Sequence, residues 1–453
     1  MPKKKTALTI EERLQQALVP AAEQPYEVPE NWVWVRLGTI AEIVTGGTPS
    51  KKHPEYYGGN FPFYKPSDLD QGRLTYDASE YLSEEGKKVS RIIPKNSTAV
   101  CCIGSIGKCG YLMCEGTTNQ QINSAIPKIN SLCLYYYLCT ENFVQNLLSM
   151  ASATTIAIVN KSKMESCAFP LPPLSEQQRI VERIEELFAK LDEAKERLQE
   201  VADSFAVRKA AILHKAFTGE LTKQWRRENG MSDESWEERK LGKVGSWLGG
   251  GTPSTSREEY WENGNILWIT SKDMKSAVIE DTLMKVNEIG VKNSSANYIE
   301  KPALLVVMRS GILRRTFPVA MVKKPFTVNQ DLKAIIPDKD DLEFLFWMLL
   351  SNERRILDSC MKNGTTVESI NSNALKAFAF KCPTLSEQHE IVRLINDLLA
   401  RERAAKQATE QALASIDLMK KSILARAFRG ELGTNKASEA SALELLRQVL
   451  AED

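Results

Sequence analysis

The stretch GSIGKC, from Gly104 to Cys109, sets a glycine turn before a lysine, the chemistry of a phosphate cradle. A P-loop needs four residues between its first glycine and the Gly-Lys pair; only two intervene here, so phosphate binding of that kind is not expected. Methyl transfer to an exocyclic amine uses an Asn-Pro-Pro-aromatic loop. In NFPFY, Asn60 to Tyr64, Phe61 stands where the first proline belongs, and no glycine-rich cofactor loop follows a strand elsewhere. PDKDDLE, Pro337 to Glu343, clusters carboxylates as a nuclease metal site would, yet it lacks a downstream Glu-x-Lys and reads better as the cap of the helix that follows. His53, His214 and His389 lie far apart. Nine cysteines include no Cys-x-x-Cys pair, and Cys101, Cys102, Cys109 and Cys114 cluster at no zinc spacing; reduced thiols are expected, with no metal site. Catalysis by this chain is not expected.

With 59 Lys and Arg against 58 Asp and Glu, the net charge of +1 neither demands nor forbids a nucleic-acid partner, because a shared interface can draw its charge from a basic companion. The longest apolar runs, Leu132 to Leu138 and Phe344 to Leu350, are far shorter than the roughly 20 residues of a membrane span. The start, MPKKKTALTIEERL, is basic without the apolar stretch of a secretory signal, so a cytoplasmic protein is expected.

The chain repeats itself. Leu174 to Leu221 (LSEQQRIVERI…HKAFTGEL) aligns without a gap with Leu385 to Leu432 (LSEQHEIVRLI…ARAFRGEL). Upstream the match is looser: GGTPS occurs at Gly46 to Ser50 and again at Gly250 to Ser254, Ser67-Asp68-Leu69 answers Lys272-Asp273-Met274, Asn119-Gln120 answers Asn329-Gln330, and Thr154-Thr155 answers Thr365-Thr366. Two half-proteins stand in tandem. Their boundaries are read as 1–36 (amino-terminal segment), 37–173 (first domain), 174–222 (first helix), 223–240 (linker), 241–384 (second domain), 385–432 (second helix) and 433–453 (a tail with a short helix).

In the first helix Ile180, Ile184, Leu187, Leu191, Leu198, Val201 and Phe205 fall at steps that keep one face, the seam of a coiled coil; Ile391, Ile395, Leu398, Ile416, Met419 and Ile423 do the same in the second. Ser175 and Ser386 are placed as helix-opening caps, and Gly219 and Gly430 as left-handed closing ones. Rods of roughly 65 Å, at about 1.5 Å per residue and striped on one face, need a partner. The partner expected is the other copy. The globular regions mix short β-branched runs, as in STAVCCIG and ALLVVM, with Gly/Pro/Ser turns and a closing helix, which predicts mixed α/β (α+β) domains. GGTPS is turn chemistry.

Two variable regions, each followed by a helix opening with Pro-x-Leu-Ser-Glu-Gln and closing with Ala-Phe-x-Gly-Glu-Leu, resemble the specificity subunit of type I restriction-modification enzymes. The segments EQPYEVPENWVWVRLG (Glu23 to Gly38) and LTKQWRRENGMSDESWEERKLG (Leu221 to Gly242) extend the likeness over nearly the whole chain. The resemblance implies two target-recognition domains, each reading half of a split double-stranded DNA site, and an antiparallel coiled coil of pseudo-twofold symmetry that sets the spacing and docks two methyltransferase subunits. Nuclease/translocase subunits would add to these. It also implies a bacterial or archaeal cytoplasm, with S-adenosylmethionine, ATP and Mg²⁺ held by the partner subunits. A coiled-coil DNA-binding adaptor that acts without a methyltransferase is the alternative.

Within that frame the candidates for DNA contact are Lys51, Lys52, Lys65, Ser67, Ser105 and Lys108 in the first domain, and Thr270, Ser271, Lys272, Arg309, Ser310, Arg314 and Arg315 in the second. Asn119 and Asn329, with Gln120 and Gln330, recur in both halves, which favours structure over the reading of two different targets. Arg314-Arg315 has no counterpart in the first half and is the stronger candidate for specificity.

Overall fold

The computed structural model describes residues 9–152, 157–232, 234–362 and 367–452; the paired threonines 154–155 and 365–366 lie outside them. The chain divides into two units, Met1–Gln199 with Gln411–Asp453, and Glu200–Glu410.

In the first unit an antiparallel sheet runs in the order Ala41–Thr45, Ile122–Pro127, Thr98–Cys101, Cys109–Tyr111. A second sheet orders Glu80–Leu82, Tyr57–Tyr64 and Thr117–Thr118, the last pair parallel. A ribbon joins Val33–Arg36 to Ala168–Leu171 just before the first long helix, Leu174–Phe217. The second unit repeats this order strand for strand: Gly245–Gly249, Leu332–Pro337, Ala303–Val307, Val319–Val322; then Met284–Val286, Ile266–Ile269, Phe326–Val328; then Glu237–Lys240 with Ala379–Cys382, ahead of the second long helix, Leu385–Ala427. The expected α/β domains, each followed by a long helix, are what the fold contains.

Each helix begins two residues earlier than the serine cap predicted. Pro173 O accepts from Glu176 N and Gln177 N, both at 3.0 Å, so Ser175 lies inside the first turn. The residues that matter there are Glu and Gln of the repeated LSEQ, since Glu176, Gln177, Glu387 and Gln388 are all buried. Gln177 takes a bond from Asn130 N (3.1 Å) and donates to Pro172 O (2.9 Å). Gln388 takes one from Asp341 N (2.8 Å) and donates to Pro383 O (3.1 Å). Each amide thus ties the rod to the start of the last apolar helix of its own domain. At the other end Gly219 (φ +80°) and Gly430 (φ +74°) adopt the left-handed conformation, and Leu221 N and Glu431 N reach back to Lys215 O and Arg426 O, each at 2.9 Å.

The buried glutamates are handled differently. Glu387 accepts from Thr222 Oγ1 and from the Arg226 guanidinium, each at 2.7 Å, as a buried ion pair. Glu176 makes no ion pair with a described residue; Trp32 Nε1 (2.7 Å) and Thr434 Oγ1 (3.2 Å) donate to it. Burial outweighs these bonds and pushes its carboxyl above the ordinary range.

The apolar stripe serves two purposes. Ile180 and Ile184 belong to the core of the first unit, and Ile391 and Ile395 to that of the second. Farther along, the two helices run antiparallel: Asp192 meets Lys420 at 2.5 Å and Lys195 meets Asp417 at 3.3 Å in the first unit, while Arg208 meets Glu402 at 2.9 Å in the second. Such exposed pairs contribute about 0–1 kcal/mol each, so register rests on the apolar contacts. Of the remaining seam positions, Phe205 and Ile416 are buried, Leu187, Leu191, Leu198, Leu398 and Ile423 are half-buried, and Val201 and Met419 are exposed. Leu399 and Leu424 are buried beside them. The closing Ala-Phe anchors each rod end: Phe428 lies 5.2 Å from the Tyr137 ring, and Phe217 lies 5.5 Å from Phe344. Burying Phe428 contributes roughly 1.5–3 kcal/mol, and the half-buried Phe217 less.

Candidate nucleic-acid interface

The repeated pentapeptide sits against the repeated Asn-Gln. In the first unit Gly46 N and Gly47 N donate to Ile122 O (2.9 Å) and Thr118 O (2.8 Å), and a Cβ on Gly46 would stand 2.2 Å from Asn119 O. A Cβ on Gly250 would stand 1.8 Å from Val328 O, so only glycine permits this approach in either copy. Pro49 and Pro253 are buried, and Thr48 and Thr252 are exposed. Each threonine hydroxyl donates to a glutamine amide oxygen: Thr48 to Gln120 at 2.5 Å and Thr252 to Gln330 at 2.8 Å. The neighbouring asparagines turn inward. Asn119 Oδ1 accepts from Gln121 N, and Asn329 Oδ1 from Asp331 N, both at 3.1 Å, closing the same turn twice.

A second shared device is an aspartate turn. Asp68 accepts from Lys65 N (2.7 Å) and Ser79 N (3.1 Å); Asp273 accepts from Thr270 N (2.8 Å) and Leu283 N (3.0 Å). The candidates Lys65, Ser67, Thr270, Ser271 and Lys272 ride on this turn, with unlike side chains on one backbone.

What lines the sheet ends differs between the copies. In the second unit Arg309, Gln330, Lys333, Lys362 and Ser369 line one groove, where Arg309 pairs with Asp331 at 2.8 Å. The groove unites two residues named from the sequence with two lysines that were missed; the signal for Lys333 was its place four residues after the repeated asparagine. The other candidates do not join it. Arg314 is tied to Glu368, whose carboxyl this bond holds below its ordinary range, while Arg315 is exposed and makes no ion pair with a described residue. Ser310 caps the turn that carries them by accepting from Ile312 N. In the first unit Lys65 pairs with Glu80 (2.7 Å) and Lys108 with Asp70 (2.6 Å), and Lys51, Lys52 and Ser105 are exposed. Among the described residues no three His, Cys, Asp or Glu side chains converge on one point, and no helix is long and apolar enough to cross a membrane. Burial pushes the Cys102 thiol up to about 12 and Cys382 up to about 11, which leaves both as core packing rather than nucleophiles.

These features define a tandem recognition protein: one α/β scaffold used twice, each copy with its own lining and each followed by a long helix. The chain belongs to the family of type I restriction modification DNA specificity domains, whose model matches residues 29–203 and 233–413. It is 38% identical over 161 residues to the EcoR124I/EcoR124II specificity subunit of Escherichia coli, a match spanning 35% of this chain and 40% of that one. With the EcoKI specificity subunit of Escherichia coli (strain K12) it shares 23% identity over 454 residues, 94% of this chain and 96% of that one. The crystal structure of the HsdS subunit from Thermoanaerobacter tengcongensis has the same fold, with a TM-score of 0.64, 18% identity, and coverage of 91% of this chain and 100% of that one. The place of this chain in such a system is that of its non-catalytic specificity subunit.

Proposed function

We propose that each unit reads one half of a bipartite double-stranded DNA site and that the chain presents that choice to two methyltransferase subunits, to which nuclease/translocase subunits add. The observation that carries this is the pairing of an invariant scaffold with a lining that differs at matched positions. Two identical docking points fit two identical partners: Leu174 and Leu385 open their helices exposed, at 57% and 46%, at the same place in each unit. The methyl donor S-adenosylmethionine, and the ATP and Mg²⁺ that drive translocation and cleavage, are assigned to those subunits, and the complex to the cytoplasm where cellular DNA lies. The long helices that join the units are assigned the unread spacer between the half-sites.

The test is exchange. Replacing 241–384 by the equivalent region of a relative should change one half of the methylated sequence and leave the other intact; a change in both halves would overturn the two-reader assignment. Four residues inserted in register near Ala194 should lengthen the spacer by one or two base pairs, at about 1.5 Å of helix rise per residue, with the bases read unchanged. Purification as a lone oligomer that binds no methyltransferase would favour the adaptor alternative.

A further inference from the structure

We infer that Thr48–Gln120 and Thr252–Gln330 are one device built twice, a held amide that donates to the DNA sugar-phosphate backbone in each half-site. The inference rests on the DNA-reading assignment above.

Three observations lead to it. Both glutamines are exposed, although the asparagines before them are buried and do the structural work of the turn. The turn uses the asparagine; among the described residues the glutamine side chain bonds only to one exposed threonine. Next, each amide is fixed by an equally exposed threonine, at 2.5 and 2.8 Å, on a loop whose first glycine, Gly46 or Gly250, leaves no room for a Cβ. A threonine hydroxyl spent on the amide oxygen leaves the two N–H bonds of Nε2 facing out, a donor pair with its rotamer already set. Ordering such a side chain ahead of binding removes an entropy cost that a free glutamine would meet at the interface. Lastly, the device is the same in both units while the surrounding lining is not. Two readers of different bases share only one ligand chemistry, the phosphate oxygens and the backbone that carries them, which accept hydrogen bonds whatever the sequence. A feature kept in both copies fits what the two half-sites have in common.

The complex of this chain with its methyltransferase subunits would be passed over a pool of random-sequence duplexes, with affinity and selected sequence both recorded. Gln120→Ala and Gln330→Ala should each lower affinity for all duplexes roughly three- to tenfold, the equivalent of one neutral hydrogen bond. The selected bases should not change, nor should the salt dependence, because a neutral amide releases no counterion. Gln→Glu keeps the oxygen that the threonine holds but turns a donor toward phosphate into a charge, so at high salt, where distant charge is screened, it should cost more than alanine. Thr48→Val and Thr252→Val should cost less than either. Unchanged affinity with a lowered melting temperature would make the pair a loop pin and overturn the inference. Lost preference at one base would make it a base reader and overturn it equally. A wild-type complex that selects no bipartite sequence would instead break the DNA-reading assignment on which the inference stands.

Discussion

Matched strand positions in the two units carry opposite chemistry. Asn123 and Lys333 occupy the same rung, opposite Val100 and Val306. Two positions earlier, Gln121 and Asp331 give their carbonyls to Cys102 N and Met308 N, at 2.7 and 2.8 Å. The next residues, Ile103 and Arg309, bridge to Ile158 and Ser369. The first unit thus presents an apolar pair beside a half-buried Thr45–Asn123 bond of 2.8 Å, whereas the second presents Arg309 and Lys333 in a groove beside Lys362. Isoleucine suits the methyl group of thymine, and a guanidinium suits the acceptors of guanine or a phosphate. Ladder bonds between main-chain atoms hold these positions whatever side chain is attached, so the reading surface changes at little cost to the fold. The same split runs deeper. One buried glutamate of the repeated LSEQ faces an arginine, and its twin faces an indole and a hydroxyl.

The glutamates offer the largest test of that comparison. Glu387→Gln removes the buried ion pair with Arg226 and should destabilise the second unit by about 1.5–3 kcal/mol, whereas Glu176→Gln removes no ion pair among the described residues and should stay within about 1 kcal/mol of the parent at neutral pH. Denaturant unfolding of both variants decides this; equal losses would break the contrast. The shared loops should behave alike. Gly46→Ala and Gly250→Ala each force a Cβ onto a carbonyl oxygen and should cost about 1–3 kcal/mol by the same measurement.

On DNA the copies should separate again. Arg309→Ala should weaken binding by about 1–3 kcal/mol and relax preference at one position of the second half-site, and Ile103→Ala should relax the first half-site by about 1 kcal/mol or less. Arg315→Ala should cost more than Arg314→Ala, because Arg314 is already engaged by Glu368. Selection of bound duplexes from a random pool reads all four, and a uniform loss across sequences would reassign the residue to phosphate.

The smallest expected effect is on pH. Glu176 is raised in the folded state, so the stability it contributes is fully present below the ordinary carboxylate value of 4.5 and is lost as pH rises through the raised one. Unfolding free energy measured across that window should fall with pH in the parent, and Glu176→Gln should flatten the fall. A parent with no such slope would show that the two hydrogen bonds offset burial completely.

The tandem repeat, the mixed α/β domains and the long helices were legible in the sequence, because helical period, glycine turns and gapless identity are local properties that a linear text preserves. The LSEQ repeat was legible and its serine was expected to cap the helix, but the burial of its Glu-Gln was not legible, since exposure depends on what lies across from it. Partnership was decided in three dimensions. The last 43 residues, Gln411–Asp453, fold with the first unit, so Thr434 reaches Glu176 across most of the chain's length. The groove of Arg309, Gln330, Lys333 and Lys362 likewise gathers side chains from a strand end, a turn, a neighbouring strand and a crossing segment. No spacing announces such a group, because strand order, rather than sequence distance, sets which side chains become neighbours.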